Sequence, residues 1–404
     1  MKNLTILGST GSIGTSTLDV VRRHPEEYRV YALVAGRNLE LLSKQIQEFH
    51  PKVAIIETEA LLENLTDRLR QTGLPRNAWP QLQAGARARV QAAIAPEVDF
   101  VMSAIVGVAG LEATYEAVRR RKTIGLANKE TLVACGKLVT EAAREAGTEL
   151  IPVDSEHNGA HQCLRAGRRN EVTRLILTAS GGPFRETPKE RLATVTAAEA
   201  LNHPTWKMGP RITIDSASLM NKGFEVIEAC WLFGFAPSQV DVVVHPQSSV
   251  HAMVEYVDGS VIAQVSATDM RMPIQYALTY PDRGDAPVPR LDWRQKRHWD
   301  FSEPDFDKFP LLKLSYQAQE TGGSATCTLN AADEIAVAAF LGGRISFPGI
   351  ADIVEETLNR VPVRQPGTIE GMMEIDRESR GTAEEIVANG TAATKSIRAC
   401  VRAN

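Results

Sequence analysis

Four residues in one short stretch have types that could do chemistry together: Asp154, Glu156, His157 and His161, in IPVDSEHNGAHQ at 151–162. Two carboxylates without thiolates favour a hard divalent cation, Mg2+ or Mn2+, over zinc. The segment is not HExxH, so it lacks a zinc-protease base in the right place. Asp154 follows the apolar run ELIPV, at the C-terminal edge of an expected strand, and ligands of open α/β sheets collect outside such edges. In extended chain, residues two apart point the same way, so Asp154 and Glu156 could converge on one ion. His157 and His161, four apart, could share a helix face. The alternative is that Asp154, Ser155 or Asn158 caps a helix and His157 packs within it. The segment alone leaves both open.

A third carboxylate is wanted. DSASLMNKGFEVIEACWLFG, at 215–234, reads as a capped amphipathic helix. Its Asn221, Lys222 and Glu225 share a face, while Leu219, Phe224, Val226, Ile227 and Trp231 oppose them as core. That face is either a solvated salt-bridge face or one that presents a lysine to a phosphate and a glutamate to a metal. TASGGPFRE sets Ser180 before two glycines, a turn suited to anions through backbone N–H groups. NHPTWKMGPR, at 202–211, combines His203, Trp206 and Met208 with Pro and Gly, as a lid over a small substrate would. LANKE places Asn128, Lys129 and Glu130 at another strand end. Each loop by itself also reads as ordinary turn chemistry.

GSTGSIG spaces Gly8, Gly11 and Gly14 directly after an apolar run and at the start of a helical pattern. That context makes it a dinucleotide turn, with the helix N-terminus facing a pyrophosphate. The second strand ends VAGRN, with Arg37 and Asn38 where an acid would otherwise bind a ribose 2′-hydroxyl. A cation there favours a 2′-phosphate, so the cofactor read is NADP(H).

The elements that must position these residues follow from periodicity. Short apolar runs (NLTILG, YRVYALVAG, VAIIE, DFVMSAIV, KTIGLAN) alternate with helical patterns such as GLEATYEAVRRR. This rhythm implies an α/β fold opening with a Rossmann-like parallel sheet and right-handed crossovers. From about 150, ELIPVD, RLILTAS, DVVVHP, SVHAMVEYV and SVIAQVSA suggest a second α/β domain with a mixed sheet. The stretch 281–310 is rich in proline and charge and has no periodicity, and from 311 the pattern is helical. The expected division is an NADPH domain at 1–150, a catalytic, metal- and substrate-binding domain at 151–285, a linker at 286–311 and a helical domain at 312–404.

Composition narrows the function classes. The 404 residues carry a formal net charge of −4, with no basic stripe of the kind nucleic-acid binders show. Five scattered cysteines without a CxxC argue against a disulfide framework and for a reducing compartment. The chain opens straight into a strand, so no targeting segment is expected. No apolar run approaches the ~18–20 residues a membrane span needs. A cytoplasmic enzyme without nucleic-acid or membrane partners is the expectation.

The motifs GSTGSIG, ANKE, PVDSEHN, SGGPFR, HPTWKMG, DSASLMNKGFEVIEA, HPQSSVHAMVEY, TDMRMPIQYAL and LNAADEIAVAAF occur in that order. Together they resemble the 1-deoxy-D-xylulose 5-phosphate reductoisomerase family, from residue 1 to about 360. The resemblance implies metal ligation by Asp154, Glu156 and Glu225, with Mg2+ or Mn2+ as the ion and Co2+ as an alternative. It implies substrate contacts from Ser155, Glu156, Ser180, His203, Trp206, Ser216, Asn221, Lys222 and Glu225, the phosphate lying among Ser180, Ser216, Asn221 and Lys222. It marks Lys129, Glu156 and His203 as catalytic, Lys129 beside the reacting carbons and Glu156 assisting proton transfer. For NADPH it points to Thr10, Gly11, Ser12, Ile13, Gly36, Arg37, Asn38, Asn128, Lys129, Glu130 and Gly209. His157 and His161 then become supporting residues. A homodimer acting on a small sugar phosphate is implied, by a retro-aldol or an α-ketol route followed by hydride transfer.

This chain departs from the family at few places. Arg37 stands where Lys is common, Asp333 where Asn is common, and the lid position Lys207 varies; Asp333 is expected to lie away from the chemistry. Two other readings stand beside the resemblance. A metal-free NADP-dependent dehydrogenase would leave the dense carboxylates unexplained. A non-catalytic NADP sensor, using the helical tail as a partner surface, would leave Asp154, Glu156 and Glu225 idle.

Overall fold

The computed structural model describes residues 1–206 and 208–402, with side chains described as far as Gly390. Lys207 lies outside the described residues. The chain forms two compact units, one of Met1–Thr131, Val139–Gln162 and Ser266–Asp292, the other of Leu132–Leu138, Cys163–Val265 and the chain from Trp293 onward.

The first unit is built on seven parallel strands: β1 (Lys2–Leu7), β2 (Tyr28–Val34), β3 (Val53–Ile56), β4 (Gln81–Ala84), β5 (Phe100–Ser103), β6 (Thr123–Leu126) and β7 (Leu150–Pro152). Their order is β4-β3-β2-β1-β5-β6-β7, every neighbour pair parallel. Apolar residues such as Leu4, Ile6, Leu33, Ile55, Phe100 and Met102 are buried, as a sheet covered on both faces requires. The turn out of β1 depends on two glycines. Gly8 takes φ +91, and a Cβ there would stand 2.4 Å from the carbonyl oxygen of Ala104. A Cβ on Gly14, in α1 (Ser12–Arg23), would meet the Gly8 carbonyl oxygen at 2.3 Å. Asn38 caps α2 (Leu39–Phe49), its Oδ1 accepting from the Leu41 N–H at 3.1 Å. Two further helices begin at strand ends: α3 (Lys129–Ala146) after β6 and α4 (Ser155–Leu164) after β7.

The boundaries of this unit are not those of the linear division. ELIPVD supplies β7, an edge strand of the parallel sheet paired to β6, not the first strand of a second sheet. The helix Arg271–Thr279 packs against β6, β7 and α1. Parallel pairing needs long crossovers, so chain neighbours and sheet neighbours part company. The strand β4, with its exposed and half-buried residues, carries no apolar run that sequence reading could have found.

The second unit holds a mixed sheet of β8 (Val172–Ala179), β9 (Val240–Val244), β10 (Val250–Tyr256) and β11 (Val261–Val265), in the order β11-β10-β8-β9. Only β8 and β9 run parallel. Part of the expected linker is ordered against this sheet, because Ser302 exchanges two backbone hydrogen bonds with Val244, at 2.8 and 3.0 Å. The segment read as one helix over 215–234 is two. The helix α5 (Pro210–Ala217) starts with a proline where no N–H is needed, and the chain breaks at Leu219, which takes φ +60. Then α6 (Met220–Phe233) runs to Gly234 at φ +67. Nor is α6 amphipathic: Lys222 and Glu225 are buried along with Phe224, Val226 and Ile227. The helical region contains α7 (Pro310–Thr321), α8 (Ala325–Leu341), α9 (Gly349–Arg360) and α10 (Ile369–Arg402), with α8 packed on α7, α9, α10 and α5.

Gly14→Ala is expected to cost about 1–3 kcal/mol, toward the upper end because the added methyl meets backbone, which cannot rotate away. Gly36→Ala, where a Cβ would meet nothing within 4 Å, is the control. Equal melting temperatures for the two variants would show that the Gly8–Gly14 approach does not constrain the fold.

Candidate functional site

In the first unit the sites lie where strands end. Thr10, Gly11, Ser12 and Ile13 form the passage from β1 into α1. Gly11 occupies the N-cap of α1 and no side chain caps that end, so the first-turn N–H groups suit a pyrophosphate. After β2, Gly36 precedes Arg37, whose Nε donates to Glu57 Oε2 at 2.8 Å from an exposed position. This edge-on bond leaves the terminal guanidinium nitrogens facing outward, as a 2′-phosphate reader needs. Glu57 escaped sequence reasoning; its position just past the third apolar run was the signal. Thus glycines, helix terminus and arginine fit a dinucleotide phosphate.

Asn128 is fully committed to the fold. Its Nδ2 donates to Ile105 and to the Gly107 carbonyl at 2.9 Å, and its Oδ1 accepts from the Thr131 N–H at 2.8 Å as the cap of α3. The loop after β5, Ala104–Gly107, is thereby tied to the β6 turn, and the Ala104 N–H bonds the Leu7 carbonyl of β1 at 2.9 Å; the run DFVMSAIV counts Ala104–Val106 as strand, but the strand ends at Ser103.

Because β6 and β7 are neighbours, residues at their ends meet. Lys129, buried at the start of α3, forms an ion pair and hydrogen bond with Asp154. Asp154 ends the β7 segment, and its Oδ1 accepts from the Glu156 N–H at 3.3 Å. Ser155 Oγ donates to Glu156 Oε2 at 2.6 Å. Asp154 and Glu156 do converge, their oxygens within 4.8 Å, but through a helical turn and not through extended chain: Glu156 stands in the first turn of α4, which Asp154 starts. The capping alternative was partly right, since one carboxylate oxygen of Asp154 serves the helix terminus. His157 is buried with Nδ1 3.8 Å from Asp154 Oδ1. His161 Nδ1 bonds the Tyr276 hydroxyl at 2.8 Å and its ring packs edge-on to Tyr276 and Tyr280. Both are supporting residues here. The donor set of Asp154 and Glu156, oxygen only, is what Mg2+ or Mn2+ prefers.

In the second unit, His203 sits between two serines. Its Nε2 lies 3.1 Å from Ser180 Oγ and 3.1 Å from Ser216 Oγ. Its Nδ1 accepts from the Thr205 and Trp206 N–H groups at 3.1 and 2.9 Å. With Nδ1 used as acceptor, the ring proton belongs on Nε2. Burial lowers the imidazole's pKa and keeps it neutral. The SGG turn is pressed against α5, for a Cβ on Gly182, at φ +65, would stand 2.7 Å from the Ser216 carbonyl oxygen. Trp206 and Met208 are half-buried in the loop before α5, and Gly209 caps that helix.

On α6, Asn221 Nδ2 donates to Glu225 Oε1 at 2.6 Å and Lys222 pairs with Glu225 Oε2. Glu225 and Lys222 are both buried, which settles their face: it is not a solvated salt-bridge face. A charge pair held out of water at the open end of a helix marks functional chemistry more often than stability. Asp333, expected away from the chemistry, is 3.6 Å from Arg211, in the first turn of α5.

A parallel sheet with this glycine turn and exposed arginine, joined in one chain to carboxylate–lysine pairs and a serine–histidine–serine group, defines a dinucleotide-dependent α/β enzyme. Family models described as 1-deoxy-D-xylulose 5-phosphate reductoisomerase match residues 4–136, its C-terminal domain residues 150–233, and a DXP reductoisomerase C-terminal domain residues 265–382. A 1-deoxy-D-xylulose 5-phosphate reductoisomerase of Solibacter usitatus is 68% identical over 386 residues, covering 96% of this chain and 97% of its own. A Zymomonas mobilis reductoisomerase solved in complex with NADPH is 44% identical, with TM-score 0.88, 96% of this chain and 98% of that one covered. A further DOX-P reductoisomerase, solved with NADPH, fosmidomycin and magnesium, is 39% identical at TM-score 0.90 over 96% and 98% of the two chains. The chain belongs to the 1-deoxy-D-xylulose 5-phosphate reductoisomerase family.

The buried His203 has a pH signature. An unfolded imidazole takes up a proton below about pH 6.5, whereas the folded one resists, so stability falls as pH drops through that range. In His203→Gln this loss should shrink, seen as a smaller fall in melting temperature between pH 7.5 and 5.5. An unchanged fall would mean that His203 titrates freely.

Proposed function

We infer that this chain is an NADPH- and divalent-metal-dependent enzyme that rearranges and reduces 1-deoxy-D-xylulose 5-phosphate to 2-C-methyl-D-erythritol 4-phosphate, in the non-mevalonate route to isoprenoids. The observation that carries this is 68% identity with a reductoisomerase across 96% of the chain. Solved relatives that hold NADPH and magnesium support the cofactor assignment.

We assign the site as follows. Asp154, Glu156 and Glu225 supply the oxygen donors for Mg2+ or Mn2+, with Co2+ as an alternative. Thr10, Gly11, Ser12 and Ile13 hold the cofactor's pyrophosphate, and Gly36, Arg37 and Asn38 its 2′-phosphate end. Lys129, Glu130 and Gly209 complete the cofactor contacts, and Asn128 contributes through its backbone, since its side-chain amide is taken up within the fold. A bound divalent ion supplies Lewis acidity toward the substrate's carbonyl and hydroxyl oxygens, and NADPH supplies the hydride.

The chain's own groups do the rest. His203 keeps its proton on Nε2, so a serine hydroxyl that accepts it turns its own proton outward to a phosphate oxygen. Ser180, Ser216, Asn221 and Lys222 anchor the phosphate, and this remote binding energy holds the reacting carbons in place. Lys129 orients Asp154 and sits beside those carbons. Ser155 and Glu156 face the substrate hydroxyls, with Glu156 assisting proton transfer. Trp206 covers the site and excludes water. The family resemblance further supports a homodimer in the cytoplasm; among the described residues no helix is long and apolar enough to cross a membrane.

The test is NADPH oxidation by the purified chain with 1-deoxy-D-xylulose 5-phosphate, first with Mg2+ or Mn2+, then with a chelator. Turnover should vanish on chelation. Glu225→Ala should lose more than about 100-fold in kcat/KM, beyond the 10–100-fold seen when residues that only orient a metal ligand are changed, with NADPH binding intact. Turnover that survives chelation would favour the metal-free dehydrogenase.

A further inference from the structure

Arg211 leaves the first turn of α5 for α8. Its terminal nitrogens reach Glu334 at 2.8 Å, Asn330 Oδ1 at 3.1 Å and Asp333 at 3.6 Å, and Asp215, one turn along α5, lies 3.6 Å from its Nε. Behind Glu334 stands Arg380 of α10, at 2.8 Å, which also grips Asp376 through bonds of 2.7 and 3.0 Å. Four carboxylates thus share two guanidinium groups. Asp333 is the most deeply placed, with no exposed surface, and its nearest cation, Arg211, stands 3.6 Å away, beyond ordinary hydrogen-bond length. A carboxylate buried in that state is costly to keep charged. A proton relieves that cost.

We propose that Asp333 is a positioning residue for the substrate-binding end of α5: by carrying or releasing one proton it sets how firmly Arg211 ties this helix, and with it Ser216 and the Trp206 loop, to α8. The proposal rests on the reductoisomerase reading for what Ser216 and Trp206 do. Protonated, Asp333 leaves Arg211 to its 2.8 Å bond with Glu334. Ionised, it competes with Glu334 for Arg211 and repels Asp215, the residue before Ser216. The charged groups facing it are Arg211 and Asp215 from α5 and Glu334 from its own helix, with Arg380 and Asp376 of α10 one step further out. Burial pushes the Asp333 carboxyl up to about 6, with Arg211 pulling against this and Glu334 adding to it. Because the folded-state value is raised above the ordinary carboxyl range, the contribution of Asp333 to stability is fullest at low pH and is lost as pH rises through about 6.

The experiment compares the wild-type chain with Asp333→Asn, which is isosteric and permanently uncharged. Wild-type KM for 1-deoxy-D-xylulose 5-phosphate should rise several-fold between pH 5.5 and 7.5 while kcat changes less. Asp333→Asn should hold the low KM across that range and melt higher than wild type at pH 7.5. Any titration of the substrate phosphate is common to both proteins and cancels. Infrared spectra taken without substrate should show a neutral-carboxyl band in the wild type at pH 5 that fades by pH 7.5 and is missing from the variant. Parallel KM profiles in the two proteins, or no such band, would overturn the proposal. If neither protein turns the substrate over at any pH, the activity reading fails and the link to substrate with it, while the infrared band separately decides the proton on Asp333.

Discussion

A charge removed from water must meet an opposite charge or a set of hydrogen bonds, and this chain carries three such arrangements at the places that matter. Lys129 meets Asp154 at the ends of neighbouring parallel strands. Lys222 meets Glu225 within one turn of a buried helix. Arg211 and Arg380 meet four carboxylates where α5, α8 and α10 come together. Each pair is expensive to desolvate and no stronger than a well-packed apolar contact, so stability alone does not account for it. What such pairs do provide is placement: a carboxylate or ammonium whose geometry is set before any ligand arrives.

The parallel sheet explains why placement works in the first unit. Crossovers return each strand in the same direction, so every β-to-α turn opens at one edge. The glycine turn, Arg37, the ANKE turn and Asp154 arise at separated points of the chain and reach that edge through β1, β2, β6 and β7. Two close approaches, of Gly8 to Ala104 and Gly14 to Gly8, let α1 begin near enough to the sheet for its terminus to be useful. Asn128 then spends its whole amide on joining the β5 loop to α3, which sets Lys129 at a definite height beside Asp154.

The second unit uses a different device. The break at Leu219 separates α5 from α6, so Ser216 closes one helix while Asn221, Lys222 and Glu225 open the next. Hydroxyl, amide and ammonium groups gather where two helices meet a glycine turn, and His203 joins Ser180 to Ser216 through its protonated nitrogen. The loop carrying Trp206 runs from that histidine to the start of α5. The helix α5 thus anchors this loop at one end and presents Ser216 at the other, with Arg211 in its first turn.

Much of this was legible in the residues. The alternation of apolar runs and helical patterns is a local signal, so the α/β class, the mixed second sheet and the helical end could be read directly. The GSTGSIG context named a dinucleotide, and the oxygen-only carboxylates named a hard cation. Local signals fail where partners are distant. Nothing in LIP says that β7 pairs with β6, and so joins the first sheet; hydrogen-bond partners across a crossover leave no mark on the strand itself. Leu219 interrupts a sequence whose spacing suits one helix, because a positive φ in leucine is imposed by packing and not by propensity. Whether Lys222 and Glu225 face water or core, and whether Asp333 is remote or sits against Arg211, depends on which helices pack over them. Sequence by itself determined the element types and the chemistry available at each turn; tertiary structure alone decided which charges leave the water and which partners they find, because burial is a property of the packed whole and of no single segment.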